Sequence, residues 1–220
     1  DSLNNDALLT LPEPGSDNSL SKNKSIIIDG IVPSIPWVYD GSVNTDLDYQ
    51  NDPSNLTLTW GEAEDAFFDT MHYEYSIGIT KGGTEIKGWT NSNGQLSVQL
   101  SDLNLIENVT YYLGVKAIDG AGNISPVLHS DGITIDKTSP LASSINDGLN
   151  EDIDISNSGQ TISANWLQFS DATSYIKEYE YAVGTSADGI DIKTWTSIGV
   201  DTSFVDSSFQ LIHAQNYFVS

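Results

Sequence analysis

The run YEYSIGITKGGTEIKGWT, residues 73–90, returns as YEYAVGTSADGIDIKTWT at residues 179–196, an offset of 106. Self-similarity at such a distance marks a repeated structural unit rather than a local motif. Working outward at the same offset, Trp60 falls on Trp166, Asp65 on Asp171, Gly78 on Gly184 and Trp89 on Trp195. LIENVTYYL from Leu105 falls on LIHAQNYFV from Leu211. Toward the N-terminus the offset becomes 107: IIIDGIVP ending at Pro33 matches ITIDKTSP ending at Pro140, and Asp40-Gly41 matches Asp147-Gly148. The series is colinear, so the chain holds two copies of one unit.

Asp29 and Asp136 are each followed four residues later by a proline, which cannot donate to a central ladder, so these aspartates mark the boundaries. Residues 1–28 read as a linker or the end of a preceding repeat, 29–136 as a first β-sandwich repeat and 137–220 as a second, C-terminally incomplete one. The second copy reaches Ser220 within a strand whose counterpart runs on as GVKAIDGAGNIS, so the chain reads as a piece of a longer repetitive polypeptide. An alternative is that its last strand comes from another chain by strand addition, with residues 20–28 as a donor.

Within copy 1, β-branched and aromatic residues alternate with polar ones in short runs bounded by Gly, Asn, Asp and Ser. Strands are expected over 25–29, 56–60, 71–79, 84–89, 95–100, 109–118 and 129–135. Seven strands in a unit of this length predict an all-β, two-sheet, seven-stranded sandwich. Period two puts Leu56, Leu58 and Trp60 on the core face with the threonines between them toward water. It likewise puts Tyr111, Leu113, Val115 and Ala117 inside, with Tyr112, Gly114 and Lys116 outside. No amphipathic helix is expected.

The residues then carry a resemblance. Trp60 ending a strand, the tyrosine-rich run from Tyr73, and Leu105 followed by Tyr111 in YYLGVKAID resemble the fibronectin type III and bacterial Ig-like sandwich. In that resemblance Tyr111 is the corner tyrosine whose hydroxyl anchors the preceding connection. AIDGAGNIS (117–125) is similar to a signature of tandem repeats in large bacterial surface and secreted proteins. The resemblance implies an extracellular or cell-surface, secreted setting and a stalk or adhesion role beside neighbouring repeats of the same chain.

Charge narrows the partners. Acidic residues number 31 against 8 basic, all lysine, for a net charge of -23, which makes nucleic acid and anionic membranes poor partners. Cysteine is absent, so disulfides and thiolate zinc sites are excluded. No apolar run approaches the roughly 20 residues of a membrane helix, and no membrane insertion is expected in this segment. His72, His129 and His213 have no partner at metal-ligand spacing. Neither a G-x-S-x-G elbow nor a glycine-rich phosphate loop is present, so the chain is not expected to be an enzyme.

Aspartate outnumbers glutamate 22 to 9, a bias that suits loops. Asp40 with Asp46 and Asp48 recurs as Asp147 with Asp152 and Asp154, and oxygen donors at alternate loop positions suit Ca²⁺. These are not EF-hands, because Thr57 and Ser163 stand where the bidentate glutamate belongs. The resemblance adds Asp119, Asn123 and Asp136 as ligands at a junction that calcium stiffens. Against this stands the reading of all nine as solvated turn residues. Divalent cations would also relieve the self-repulsion of so acidic a chain. Trp37 has Ser144 as its counterpart and is the candidate for a ligand particular to copy 1, a glycan or a cell-surface molecule. A carbohydrate-binding accessory module of a secreted polysaccharide-degrading enzyme is accordingly the rival reading.

Overall fold

A computed structural model describes residues 11–23, 25–67 and 70–220. Apart from one helical turn, α1 (Leu20–Asn23), its regular structure is all β. The chain forms two compact units. The first holds the described residues up to Thr45 with Thr57–Val98 and Tyr112–Ser130; the second holds Asp46–Leu56, Gln99–Tyr111 and Asp131–Ser220. Strands β3 (Leu56–Trp60) and β7 (Thr110–Ile118) give residues to both.

In the first unit, β1 (Val38–Asp40) runs antiparallel to β3, with Val38 opposite Trp60 and Asp40 opposite Leu58, and β6 (Ser97–Leu100) takes the other edge of β3. The facing layer has β4 (His72–Gly78) between β5 (Lys87–Asn91) and β7, with β8 (Leu128–His129) beyond. The layers meet at Trp60, whose ring centroid lies 6.1 Å from those of both Tyr73 and Tyr75. Leu58, Ile77, Leu113, Val115 and Ala117 close the core. Two sheets sharing one apolar interior make a β-sandwich.

In the second unit, β2 (Tyr49–Gln50) runs parallel to β9 (Ile133–Ile135), which pairs antiparallel with Thr110 and Tyr111 of β7. Leu56, Leu105, Tyr111, Ile133 and Ile135 are all buried there. Copy 2 supplies β10 (Ile145–Asp147), β11 (Ile162–Trp166) and β14 (Ser203–Asp206) as one sheet. The other is β13 (Lys193–Ser197), β12 (Glu180–Gly184) and β15 (Phe218–Val219). Trp166 meets Tyr179 edge-on at 5.4 Å, and Tyr181 stacks on Phe204 at 3.8 Å.

The sequence repeat is a repeat of bonds. The Tyr111 hydroxyl accepts from the Ile106 N–H at 2.7 Å, and the Tyr217 hydroxyl from the Ile212 N–H at 2.8 Å, the corner arrangement expected at Tyr111. A Cβ on Gly78 would come within 2.4 Å of the Gly83 backbone, and one on Gly184 within 2.3 Å of Gly189. Both hairpins thus close through a backbone contact that only paired glycines permit.

Several expectations need correction. Residues 25–29 form no strand, and Ile26, Ile27 and Ile28 are exposed, because among the described residues no ladder partner flanks them. Strands β1 and β2 were not anticipated. The segment expected over 129–135 divides into β8 and β9, with Gly132 at φ 110 between them. The run 84–89 pairs only from Lys87, beyond a register shift between Tyr75 and Ile77. Thr59 is buried rather than facing water, since its hydroxyl donates to the Gly41 carbonyl at 2.8 Å.

Candidate metal centre

Three aspartates from separate loops converge in the first unit: Asp29 on the entering connection, Asp65 after β3, and Asp119 after β7. The D-G-A-G-N turn is wrapped around Asp119, which is 3% exposed. Its Oδ1 accepts from the N–H groups of Ala121, Gly122 and Asn123 at 2.8, 2.7 and 2.8 Å. Its Oδ2 accepts from Asn123 Nδ2 at 2.8 Å. Burial pushes the Asp119 carboxyl up, but the hydrogen bonds from Asn123, Gly122 and Ala121 outweigh it and hold the group below the usual carboxylate range. The Asn123 amide also reaches the Asp29 carbonyl at 3.3 Å, tying the connection to the turn.

Asp29 and Asp65 are oriented by Asx turns, with Ile31 N–H donating to Asp29 Oδ1 at 3.0 Å and Phe67 N–H to Asp65 Oδ1 at 2.8 Å. Asp29 Oδ2 is left shielded from solvent with no hydrogen-bond partner. One carboxylate oxygen from each of the three aspartates lies within 4.8 Å of the others. Two oxygens bound to one Ca²⁺ at about 2.3–2.6 Å reach that separation, so the donor set fits a hard cation.

Half of this arrangement recurs in the second unit. Asp136, the counterpart of Asp29, is buried, and its Oδ1 accepts from Thr138 N–H at 3.0 Å and Thr138 Oγ1 at 2.7 Å. Asp171, the counterpart of Asp65, takes N–H groups of Thr173 and Ser174 on Oδ1 at 2.8 and 2.9 Å. Its Oδ2 is again buried without a hydrogen-bond partner. The Ser174 hydroxyl, then Thr138, hold the Asp136 carboxyl below its usual range. Around this pair Thr173 Oγ1 donates to Asn108 Oδ1, and Tyr175 meets Tyr49 edge-on at 5.9 Å. A shallow hollow lined by Gln168, Phe169, Asp171, Ser174 and Tyr175 opens beside it.

The other predicted ligands are placed differently. Asp40 is buried at the end of β1. Asp46 and Asp48 are exposed on the loop before β2; Asp46 has a carboxylate oxygen within 4.8 Å of one on Asp131, and the Asp48 carbonyl accepts from Thr134 N–H at 2.8 Å. Asp147, at the end of β10, and Asp152 and Asp154, in the loop that follows, are exposed, and Asp152 Oδ1 accepts the Asp147 N–H at 3.2 Å. Burial first, then the charges of Asp152 and Asp154, push the Asp147 carboxyl up. Of the predicted ligands, Asp119 and Asn123 belong to the Asp29 cluster and Asp136 to the Asp171 pair. Asp29, Asp65 and Asp171 were not named as ligands, although their recurrence in register was the available signal.

Trp37 is half-buried, stacked on Tyr39 at 4.7 Å, and its carbonyl accepts from Gly61 N–H at 3.0 Å. A Cβ on Gly61 would meet Trp37 Nε1 at 2.8 Å. In copy 2 the matching bond joins Leu167 N–H to the Ser144 carbonyl at 3.2 Å. Copy 1 thus has a tryptophan over a glycine where copy 2 has Ser144 and Leu167, both exposed. Trp89 and Trp195 lie on exposed sheet faces at 37% and 52%, Trp89 with the Lys116 ammonium 4.5 Å from its ring centroid.

No known family's sequence profile and no curated protein matches the chain. Among solved structures it is similar to the FN1–FN3 domains of chicken CNTN1, at 15% identity and a TM-score of 0.44 over 86% of this chain and 60% of that one. It is also similar to the chicken interferon gamma receptor alpha chain, at 14% identity and a TM-score of 0.34 over 86% of this chain and 88% of that one. The coordinates themselves establish the fold: all-β, built of sheets packed face to face as β-sandwiches.

Proposed function

We propose that the chain is a non-catalytic stalk or adhesion segment of an extracellular, secreted or surface-attached bacterial protein, built of Ig-like or fibronectin-III-like sandwiches whose connections are stiffened by Ca²⁺. Its role then lies in reach and spacing. The observation that carries this reading is the convergence of Asp29, Asp65 and Asp119 on the connection entering the first sandwich, with one Asp29 oxygen buried and unbonded.

Asp29, Asp65 and Asp119 would hold the ion, and Asn123 keeps Asp119 and the Asp29 backbone in place. When bound, calcium supplies the positive charge that three adjoining carboxylates lack. Tying Asp29 to two loops of the sandwich removes freedom from the connection. In the second unit, Asp136 with Ser174, Asn108 with Thr173 and Tyr49 with Tyr175 join the end of copy 1 to a loop of copy 2. This supports a stalk in which the connections are fastened rather than free.

The test is thermal unfolding of the 220-residue chain in Ca²⁺, in Mg²⁺ and in EDTA, beside Asp29→Asn and Asp65→Asn. A ligand that binds only the folded state raises stability by about 2.7 kcal/mol at a hundredfold excess over Kd. Calcium is expected to raise the melting temperature of the parent protein and to do so far less in either variant. Equal melting in calcium and EDTA would count against the reading.

A further inference from the structure

We infer that Asn93 in the first unit is a site of spontaneous modification, where the carboxamide is lost through a cyclic imide closed by the Gly94 nitrogen, and that the change loosens the connection between β5 and β6. This connection leads from the sheet holding β4 to the sheet holding β3. It turns at 92–95, where Gln95 N–H donates to the Ser92 carbonyl at 3.2 Å and the Ser92 hydroxyl to the Gln95 carbonyl at 2.7 Å. Between them Asn93 and Gly94 hold φ 56 and φ 78. Left-handed backbone at both central positions is what a type I′ turn requires and what Asn-Gly supplies most readily. The same pair closes the imide with least hindrance, because glycine sets no Cβ beside the attacking nitrogen.

The surroundings leave the reaction room to run. Asn93 and Gly94 are exposed, and a Cβ on Gly94 would meet nothing within 4 Å. Asn93 N–H donates to Asn91 Oδ1 at 2.6 Å, but among the described residues no hydrogen bond holds its carboxamide or the Gly94 N–H. Other asparagines differ on both counts. Asn55 donates its Nδ2 to Asp52 at 2.6 Å and precedes leucine, and Asn123 donates its own to Asp119 at 2.8 Å and precedes isoleucine. Asn93 is the one asparagine in the sequence that glycine follows. At the same place copy 2 has Gly199 at φ 64 and then Val200, so the left-handed residue is kept without a carboxamide.

Once base has removed the Gly94 amide proton, the nitrogen attacks Asn93 Cγ. The Cγ–Nδ2 bond breaks and Nδ2 leaves as ammonia, giving a succinimide. Water then opens the ring at either carbonyl carbon: breaking the bond from the ring nitrogen to Cγ leaves aspartate, and breaking that to the main-chain carbon leaves isoaspartate. The sum is asparagine plus water to aspartate or isoaspartate plus ammonia, with no oxidant. Ring closure needs the turn to open locally, which exposed connections do at little cost. Isoaspartate routes the backbone through an extra carbon inside the turn and so pulls on the Ser92–Gln95 bonds. The next link inward is the Leu96 carbonyl, which accepts the N–H of buried Trp60 at 3.0 Å.

The full chain held at mildly alkaline pH provides the test, with its tryptic peptide 88–116 followed by mass spectrometry and electron-transfer fragmentation, beside Asn93→Gly and Asn93→Asp. Asn93 is expected to gain the mass of OH in place of NH2 ahead of every other asparagine of the two sandwiches, faster at higher pH, with isoaspartate among the products. Asn93→Gly, which copies the turn at Gly199, should show no gain at 93. Amide exchange at Gln95 and Trp60 is expected to be faster in the aged protein than in the fresh one. Asn93→Asp adds the charge without lengthening the backbone and should exchange as the fresh protein does. A native chain left unmodified while the urea-unfolded chain reacts, a first mass gain at Asn55 or Asn123, or unchanged exchange at Gln95 in the isoaspartate form would each overturn the inference.

Discussion

The two copies share a skeleton and differ in what fills it. Each closes a hairpin through paired glycines, anchors a corner through a tyrosine hydroxyl, and turns an aspartate toward its entering connection. What packs around the skeleton diverges: Val98 and Leu100 of copy 1 become Phe204 and Asp206. Backbone geometry is thus the conserved quantity between the copies, and side-chain volume and charge are exchanged around it. The hairpin glycines repeat identically, as do the central aromatic residues Trp60, Tyr73 and Tyr75 at Trp166, Tyr179 and Tyr181, while positions around them do not.

The largest effect that could break this comparison is at the centre of each sheet. Leu113→Ala empties a fully buried site and is expected to cost about 3 kcal/mol, whereas Val219→Ala, at the partly buried counterpart, should cost under about 1 kcal/mol. Amide exchange resolved along the chain would separate the two, and equal costs would mean that Val219 is as well packed in solution as Leu113. Next come the glycines. Gly78→Ala and Gly184→Ala push a Cβ into backbone and should each cost about 2–3 kcal/mol, with matching losses of protection in the hairpins they close.

A smaller effect should appear in copy 2. Lys193 bonds Asp206, which also accepts from the Tyr181 hydroxyl at 2.7 Å; copy 1 has Leu100 at this place. Burial pushes the Asp206 carboxyl up, but Lys193, Ser208 and Tyr181 outweigh it and hold the group far below its ordinary 3.8. The native state therefore favours the charged form, and the stability it adds is complete above the unfolded value and lost as pH falls below 3.8 toward the folded value. Asp206→Asn should cost about 2 kcal/mol at neutral pH and flatten the acid limb of copy 2 in exchange experiments while leaving copy 1 unchanged. The smallest effect expected is a gain. Ala214 sits at φ 60, where copy 1 has Asn108, so Ala214→Gly should relieve left-handed strain and stabilise by about 0.5 kcal/mol.

Much of this architecture was legible in the sequence because its signals are local or periodic. Tyr111, Leu113, Val115 and Ala117 alternate and are all buried, although Gly114 between them, expected outside, is buried too; the corner bond was implied by the resemblance that Leu105 and Tyr111 carry. SIIID is as rich in β-branched residues as GITID, yet only the second holds a strand; composition says nothing about whether a partner is present. Strands β1 and β2 are three and two residues long, too short for any period to show. Thr59 reads as a surface residue until the Gly41 carbonyl opposite it is known.

The carboxylates follow the same rule. Aspartates spaced within one loop, such as Asp152 and Asp154, were visible at once, yet the structure leaves them exposed. Asp29, Asp65 and Asp119 are brought together only by the fold, and what marked two of them beforehand was their return as Asp136 and Asp171. Repetition in register marked Asp29 and Asp65, but it marked Asp40 with Asp147 as well, so only the fold separates the two sets.

Calorimetric titration of Ca²⁺ into the EDTA-stripped 220-residue chain, with Asp65→Asn and Asp171→Asn measured beside it, addresses the central claim most directly. The Asp29–Asp65–Asp119 set has three carboxylates and the Asp136–Asp171 pair has two, so the account predicts a saturable heat whose tightest component disappears in Asp65→Asn and survives in Asp171→Asn. No binding heat, or a heat indifferent to Asp65→Asn, would contradict it.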